Sequence, residues 1–358
     1  MEAESQASAI IPLALPKGAE KFCELCQREA RLQCSKCRVT FYCAAEHQQA
    51  DWVGIHERIC QLLVPIRALT LCSLRQTSHT ETQIKKLIEI CRLVAQSKLS
   101  EGKHQEALPA AQLCLRCSID VHGPNTVQLV PAYLLLAEAN MGEKQAQNDF
   151  LSQAEWAVLK SPKCGLTIHH QLHRSLGRLH VAAGDLDTAL HNFANDIYFA
   201  TEEYGLDSTV TSRGYFLMAD VFTKQGKIPT VHSLYSEVAR IWHRHLTRLL
   251  ETRKESIQNP PVDSFYAERV EVDEMLRTML EFEQKDTRKD PARIAVVAHC
   301  LAMLSFLGGD FLKVIQTVSK LGPQHKEKKK NQASQRFHFI DTILVHTNHF
   351  FFFKNTIN

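Results

Sequence analysis

From residue 83 to residue 322 the chain runs in long stretches of Leu, Ala, Glu and Lys with few prolines inside them, which predicts helices. Glycines punctuate these stretches at nearly constant distance: Gly102, Gly142, Gly184, Gly226 and Gly309 are separated by 40, 42, 42 and 83 residues. The last interval is close to two periods. A repeat near 42 residues is the length of a helix pair, so the pattern predicts hairpins stacked into an α-solenoid with the glycines at their turns. Between Gly226 and Gly309 the period predicts one more unit, a degenerate one. Its helix lies over Val262 to Glu283, behind a break at Asn259, Pro260 and Pro261.

Small and aromatic residues fall at matching offsets around the glycines. Gly177 and His180 precede Gly184, and Ala189 and Phe193 follow it; another copy has Ala219, Phe222, Gly226 and Tyr235. Thinner copies place Ala95, Ala107 and Ala111 around Gly102, Ala137, Ala146 and Phe150 around Gly142, and Ala302 before Gly309. Small residues let the helices of a hairpin approach closely, and the aromatic fills the space to the next hairpin. The pattern resembles tetratricopeptide repeats of the longer type. Such an array implies a concave face that grips a helix or extended segment of another protein, with Asn192, Asn195, Asp196 and Arg213 as candidate lining.

Ahead of the array the pattern changes. Residues 23 to 60 are poor in aliphatics yet hold six of the chain's twelve cysteines. The apolar run Ile10 to Leu15 follows Glu2 and Glu4 where a secretory signal needs a basic start, so a reducing compartment is expected. Clustered cysteines with interspersed histidines then read as metal ligands. The spacing is Cys23-x2-Cys26, Cys34-x2-Cys37, Cys43-x3-His47 and His56-x3-Cys60. Eight soft ligands make two closed tetrahedral sites, and thiolate with imidazole selects two structural Zn²⁺ ions. The x3 pairs place both members on one face of a short helix. A segment with so small a core folds only with its metal, which supplies about 10–16 kcal/mol per site. Cys114 and Cys117 repeat the CxxC spacing, but they lie in a predicted helix without a partner pair and read as packing residues.

The run from Phe41-Tyr42-Cys43 through His47, Gln48, Asp51, Trp52 and His56 to Cys60, completed by the two CxxC pairs, resembles a MYND zinc finger. The resemblance implies interleaved ligation: Cys23, Cys26, Cys43 and His47 on one zinc, and Cys34, Cys37, His56 and Cys60 on the other. His47 stands where the family usually has cysteine. The resemblance further implies a docking module for proline-containing peptides, with Gln48 and Trp52 in the peptide groove. An exposed indole beside an amide suits a proline ring and an extended backbone. Upstream, Pro12-Leu-Ala-Leu-Pro16 resembles such a peptide and is a candidate for the chain's own groove.

The expected organisation is mostly α: an extended segment 1–20, the finger 21–62, a linker 63–82, the solenoid 83–322 and an irregular tail 323–358. In the tail, Lys326, Lys328, Lys329 and Lys330 and the block Phe350 to Phe353 fit no helix of the array, which leaves the last unit without a capping helix. Forty-two Lys and Arg against 39 Asp and Glu give a net charge of +3, too weak a field to argue for nucleic acid. No apolar run reaches the roughly 18–20 residues of a membrane span. One finger followed by such repeats resembles MYND proteins of motile cilia. The likeness is carried by residues 11–18, Asp51-Trp52, 130–138 and 194–200. It implies a non-enzymatic adaptor of the ciliary and sperm-flagellar axoneme, cytoplasmic in origin. The implied partners are inner-arm dynein components and another tetratricopeptide repeat protein. Two other classes share part of this pattern. A corepressor adaptor binding proline-rich peptides shares the finger. A SET/MYND lysine methyltransferase needs a SET domain, and the roughly 20 residues between Cys60 and the first array helix leave no room for one.

Overall fold

The computed structural model describes residues 7–9, 21–68, 77–161, 163–255, 264–286 and 290–310. The Pro12–Pro16 motif, the Asn259–Pro261 break and the tail from 323 lie outside the described residues. The chain divides into two compact units, Met1–Val231 and His232–Asn358.

The first unit opens with a three-stranded antiparallel sheet in the order β1-β2-β3, formed by β1 (Ala7–Ala9), β2 (Leu32–Cys34) and β3 (Phe41–Tyr42). Next come α1 (Ala45–Asp51), a π-turn over Trp52–His56 and α2 (Glu57–Ala68). Helix α2 continues through the first residues expected to form a linker, because Ile59 and Leu63 have an apolar surface to meet. With Ile55 they are buried in one core with Leu87, Cys91 and Val94 of α3 (Thr77–Ser100) and Ala107, Ala110 and Ala111 of α4 (His104–His122). The finger's C-terminal half and the first helix pair are therefore packed as one body.

Helices α5 (Val130–Ala139), α6 (Lys144–Leu159), α7 (Leu166–Ala183), α8 (Leu186–Tyr204) and α9 (Thr209–Lys224) complete this unit, and α10 (Ile228–Glu255) begins in it. The turns fall where the glycine ruler put them. Gly102, Gly142, Gly184 and Gly226 separate successive helices, Gly309 follows α12, and all five have positive φ, a conformation that costs glycine no steric strain. The best-matched copy explains itself: a Cβ on Gly177 of α7 would lie 2.5 Å from the ring of Phe193 on α8, so the aromatic fills the space the glycine vacates. A Cβ at Gly214 of α9 would meet Ile197 of α8 at 2.6 Å, a second close crossing.

In the second unit α11 (Ser264–Lys285) and α12 (Pro291–Leu307) pack together with the body of α10. Trp242, Leu246, Leu276, Met279, Cys300 and Met303 are buried there. Glu283, 1% exposed, accepts from Arg293 Nε at 2.9 Å and lies 2.9 Å from Nδ1 of His232. Between Gly226 and Gly309 the described residues hold α11 and α12 after α10. The helix expected over Val262 to Glu283 is α11, Ser264–Lys285, and its entrance lies outside the described residues.

Candidate metal centre and docking face

The ligands reach each other through the sheet, the two knuckle turns and the broken helix. Gln27 and Arg38 take positive φ just beyond Cys26 and Cys37. Each chain reversal is closed by a backbone bond, Gln27 N to Cys23 O and Arg38 N to Cys34 O, both at 3.0 Å. Strand β3 delivers Cys43, and α1 carries His47 one turn further on. The π-turn widens the coil between Trp52 and His56, so the second helical pair, His56 and Cys60, spans its junction with α2.

Two clusters result: Cys23, Cys26, Cys43 and His47, and Cys34, Cys37, His56 and Cys60, with one ligand atom from each residue within 4.8 Å of all the others in its group. This is the interleaved pairing the family resemblance implies. In the first cluster His47 Nδ1 lies 3.2 Å from Cys43 Sγ and 3.4 Å from Cys23 Sγ, and Cys26 and Cys43 sulfurs are 3.5 Å apart. In the second, Cys37 Sγ is 3.6 Å from His56 Nε2, and Cys34 and Cys60 sulfurs are 3.9 Å apart. Tetrahedral zinc with bonds near 2.0–2.3 Å sets its ligands roughly 3.3–3.8 Å apart, so both sets fit the ion. His47 stands with the three cysteines as the fourth residue able to hold that ion.

The electrostatics of the thiols point the same way. Burial, then the crowding of Cys37 and Cys34, pushes the Cys60 thiol up to about 12. Burial, then hydrogen bonds from Cys26 and Cys23, pushes Cys43 up to about 11. The neighbouring thiols go the other way: burial would raise Cys23 and Cys37, but the hydrogen bonds they receive lower both, and the Arg28 backbone amide lowers Cys26. With at least one sulfur of each cluster lowered and one raised, full ionisation of a cluster needs a cation among its sulfurs, and a dication resolves the repulsion.

Around the second cluster stands a shell the spacing did not reveal. His56 Nδ1 lies 3.5 Å from Asp51 Oδ2, and that carboxylate oxygen accepts from the Tyr42 hydroxyl at 2.7 Å. Burial, with Asp51 beside it, drives the Tyr42 hydroxyl well above its ordinary value and keeps it a donor. The arrangement fixes which imidazole nitrogen faces the metal. Asp51 sits five residues before His56, a relation that the π-turn makes close and a regular helix would not.

A second feature lies between ligands Cys23 and Cys26. Glu24 receives two hydrogen bonds from Arg67 of α2, at 2.8 and 2.9 Å, and is also bonded, at side chain and carbonyl, by Arg116 of α4. Burial alone would raise the Glu24 carboxyl, but the two guanidiniums hold it below its ordinary range. Arg116 is 92 positions away, so no local motif signals it.

The expected peptide residues have different surroundings. Trp52 is half-buried against the zinc core, with Lys36 Nζ 4.6 Å from its ring centroid and His56 5.7 Å beside it. Gln48 is 6% exposed, and its Nε2 has no partner among the described residues. Of the candidate concave residues, Asn192 accepts at Oδ1 from His173 Nδ1 at 3.0 Å, and Asp196, fully buried, accepts from Arg174 at 2.9 and 3.1 Å. Those two side chains join helices α7 and α8 and face no open surface. Asn195 lies 3.3 Å from its neighbour His191, and Arg213 is part-buried. Cys114 and Cys117 are buried in the core shared with the finger, where burial pushes their thiols up to about 11 and about 12. Among the described residues no helix is long and apolar enough to cross a membrane.

Comparison with known proteins places the finger firmly and little else. The MYND finger model matches residues 23–60. Over 42 residues the chain is 50% identical to Egl nine homolog 1 of Homo sapiens, 12% of this chain and 10% of that protein. The same protein of Mus musculus is 48% identical over the same length. The chain thus spans about a tenth of these curated relatives, and the likeness is that of the finger. The crystal structure of BtubC (BKLC) from P. vanneervenii aligns with a TM-score of 0.42 at 12% identity, covering 78% of this chain and 96% of that one, too loose a match to carry an argument. The chain is a MYND finger, able to bind two zinc ions, followed by a helical repeat-like region.

Proposed function

We propose that the chain is a non-enzymatic adaptor of the motile axoneme, in cilia and sperm flagella. A MYND finger is a protein–protein interaction module. The observation that carries the reading is the closure of both metal sites. Each has four protein ligands within 4.8 Å of one another, so a bound zinc keeps no coordination position for substrate or water and its work is structural. The finger then offers a docking face beside Trp52, suited to a proline-containing peptide. The helical array offers a second surface for another tetratricopeptide repeat protein and for inner-arm dynein components. Neither nucleic acid nor membrane is a partner in this reading.

The axonemal assignment rests on the resemblance of residues 11–18, 130–138 and 194–200, with Asp51-Trp52, to zinc finger MYND domain-containing protein 12. Affinity purification of the tagged chain from ciliated epithelium or testis tests it. Recovery of dynein-arm proteins with a repeat-protein partner is the expected result. Recovery of nuclear corepressor subunits without them overturns the axonemal assignment in favour of a transcriptional adaptor. Transfer of a methyl group from S-adenosylmethionine to any protein overturns the non-enzymatic reading.

A further inference from the structure

Two strands of the finger's sheet belong to the ligand-bearing segment, and the third arrives from upstream. Strand β1 runs antiparallel to β2, with Ala7 opposite Cys34, Ser8 opposite Gln33 and Ala9 opposite Leu32. The other edge of β2 is taken by β3, with Leu32 opposite Tyr42 and Gln33 opposite Phe41. Strand β2 is therefore central, and it is central only because the chain's own N-terminal segment covers it. The two neighbours are held unequally. Strand β3 is tied into the metal site through Cys43, whereas β1 precedes every zinc ligand and, among the described residues, pairs over three positions. The backbone hydrogen bonds of so short a pairing replace bonds to water and add little net stability, a grip that opens readily. With β1 gone, β2 presents a row of unpaired N–H and C=O groups beside a rigid metal-braced hairpin, the kind of edge that templates an extended chain.

We propose that Ala7–Ala9 is a displaceable strand, occupying in cis the edge of β2 on which the finger docks an extended segment of another protein. This rests on the docking reading above and adds where that segment lies, what it is made of and what competes with it. Residues opposite Cys34 and Leu32 share one face of the sheet, and Cys34 is a fully buried ligand, so the incoming segment needs small residues at those two places. The cis strand, Ala-Ser-Ala, has that composition. The hairpin bears exposed Arg31, Lys36 and Arg38 and no acidic residue between 30 and 40. Glu2 and Glu4 precede the cis strand in sequence, and Pro12 follows it. The matching partner segment is therefore an extended run of small residues, preceded by carboxylates and followed by proline.

The probe is a fluorescein-labelled peptide of residues 1–16, titrated by anisotropy against the zinc-loaded full chain and against the chain lacking residues 1–16. A tethered strand competes at an effective concentration near the millimolar range, so the shortened chain should bind the probe about tenfold or more tightly than the full chain. The full chain carrying Ser8→Pro together with Ala9→Pro should bind like the shortened one, since alternate amides face the partner strand and one of the two prolines removes a needed donor. Amide exchange over residues 31–35 should speed up by about tenfold on shortening. Equal probe affinity for the two chains, no binding to either, or unchanged exchange over 31–35 overturns the proposal. So does a shift to dimer in the full chain that the double proline variant abolishes, because the strand would then pair between copies. The docking reading itself stands or falls on the tissue purification, whose result does not depend on β1.

Discussion

At the scale of single residues, His47 and Asp51 carry the sharpest consequences. His47 occupies the fourth place of the first cluster, with Nδ1 3.2 Å from Cys43 Sγ. Replacing it with Ala should lower the zinc content of the purified chain from two ions to one, while His47→Cys, which restores a soft ligand, should keep two. Metal analysis by mass spectrometry after gel filtration decides between those outcomes. Asp51 touches no metal; it stands behind His56 and is itself held by Tyr42. Asp51→Asn keeps the shape but loses the charge behind the imidazole, and should weaken the second site about 10–100-fold without changing the first. Competition with a chromophoric chelator would resolve the two sites as separate steps; a single unchanged step would show that Asp51 contributes nothing to metal affinity.

At the scale of elements, the junction between finger and array turns on close contacts that small residues permit. A Cβ at Gly54, inside the π-turn, would lie 2.6 Å from Pro109 of α4 and 3.1 Å from the Glu106 carbonyl oxygen. Gly54→Ala should cost about 1–3 kcal/mol by overpacking, read as a lowered urea midpoint with an unchanged slope. Glu24→Gln leaves Arg67 and Arg116 without their carboxylate; with both guanidiniums about a third exposed, solvent screening reduces the loss to about 2 kcal/mol. These contacts also mark the limit of what was legible in the chain. The ligands declared themselves because a metal site needs fixed residue types at short spacing, and the turns did because a positive φ selects glycine. Gly177 and Phe193 were legible as a pair because a repeat prints the same crossing several times. Arg116 on Glu24, Pro109 on Gly54 and Asp51 behind His56 were not, since each depends on the approach of elements far apart in sequence or on one irregular turn. Asn192 and Asp196, polar residues on a helix, gave no sign that α7 would bury them.

At the scale of the whole molecule, the question is whether the metal supports more than its own segment. A modular reading expects zinc removal to unfold residues 21–62 and leave the helices untouched. The packing argues otherwise, because Ile55, Ile59 and Leu63 are buried at 1%, 0% and 2% exposure in the same core as α3 and α4. Each fully buried aliphatic contributes roughly 1.5–3 kcal/mol, and the Glu24 clamp hangs on the turn between Cys23 and Cys26. Zinc, at about 10–16 kcal/mol per structural site, holds the π-turn and α2 in the position from which these groups reach the helices. The finger thus covers the apolar face of the first hairpin, as a terminal cap does in a stacked array. Adding a strong chelator to the purified chain should therefore raise amide exchange throughout 21–68 and also across Thr77–Ser100 and His104–His122. Helices α7 and α8, which bury Phe193 against Gly177 and share no core cluster with the finger, should keep their protection. If exchange rises in the finger alone, the first hairpin closes its own core and the cap is dispensable. If it rises through α7 and α8 as well, the unit unfolds as one, and the array takes its stability from the metal end.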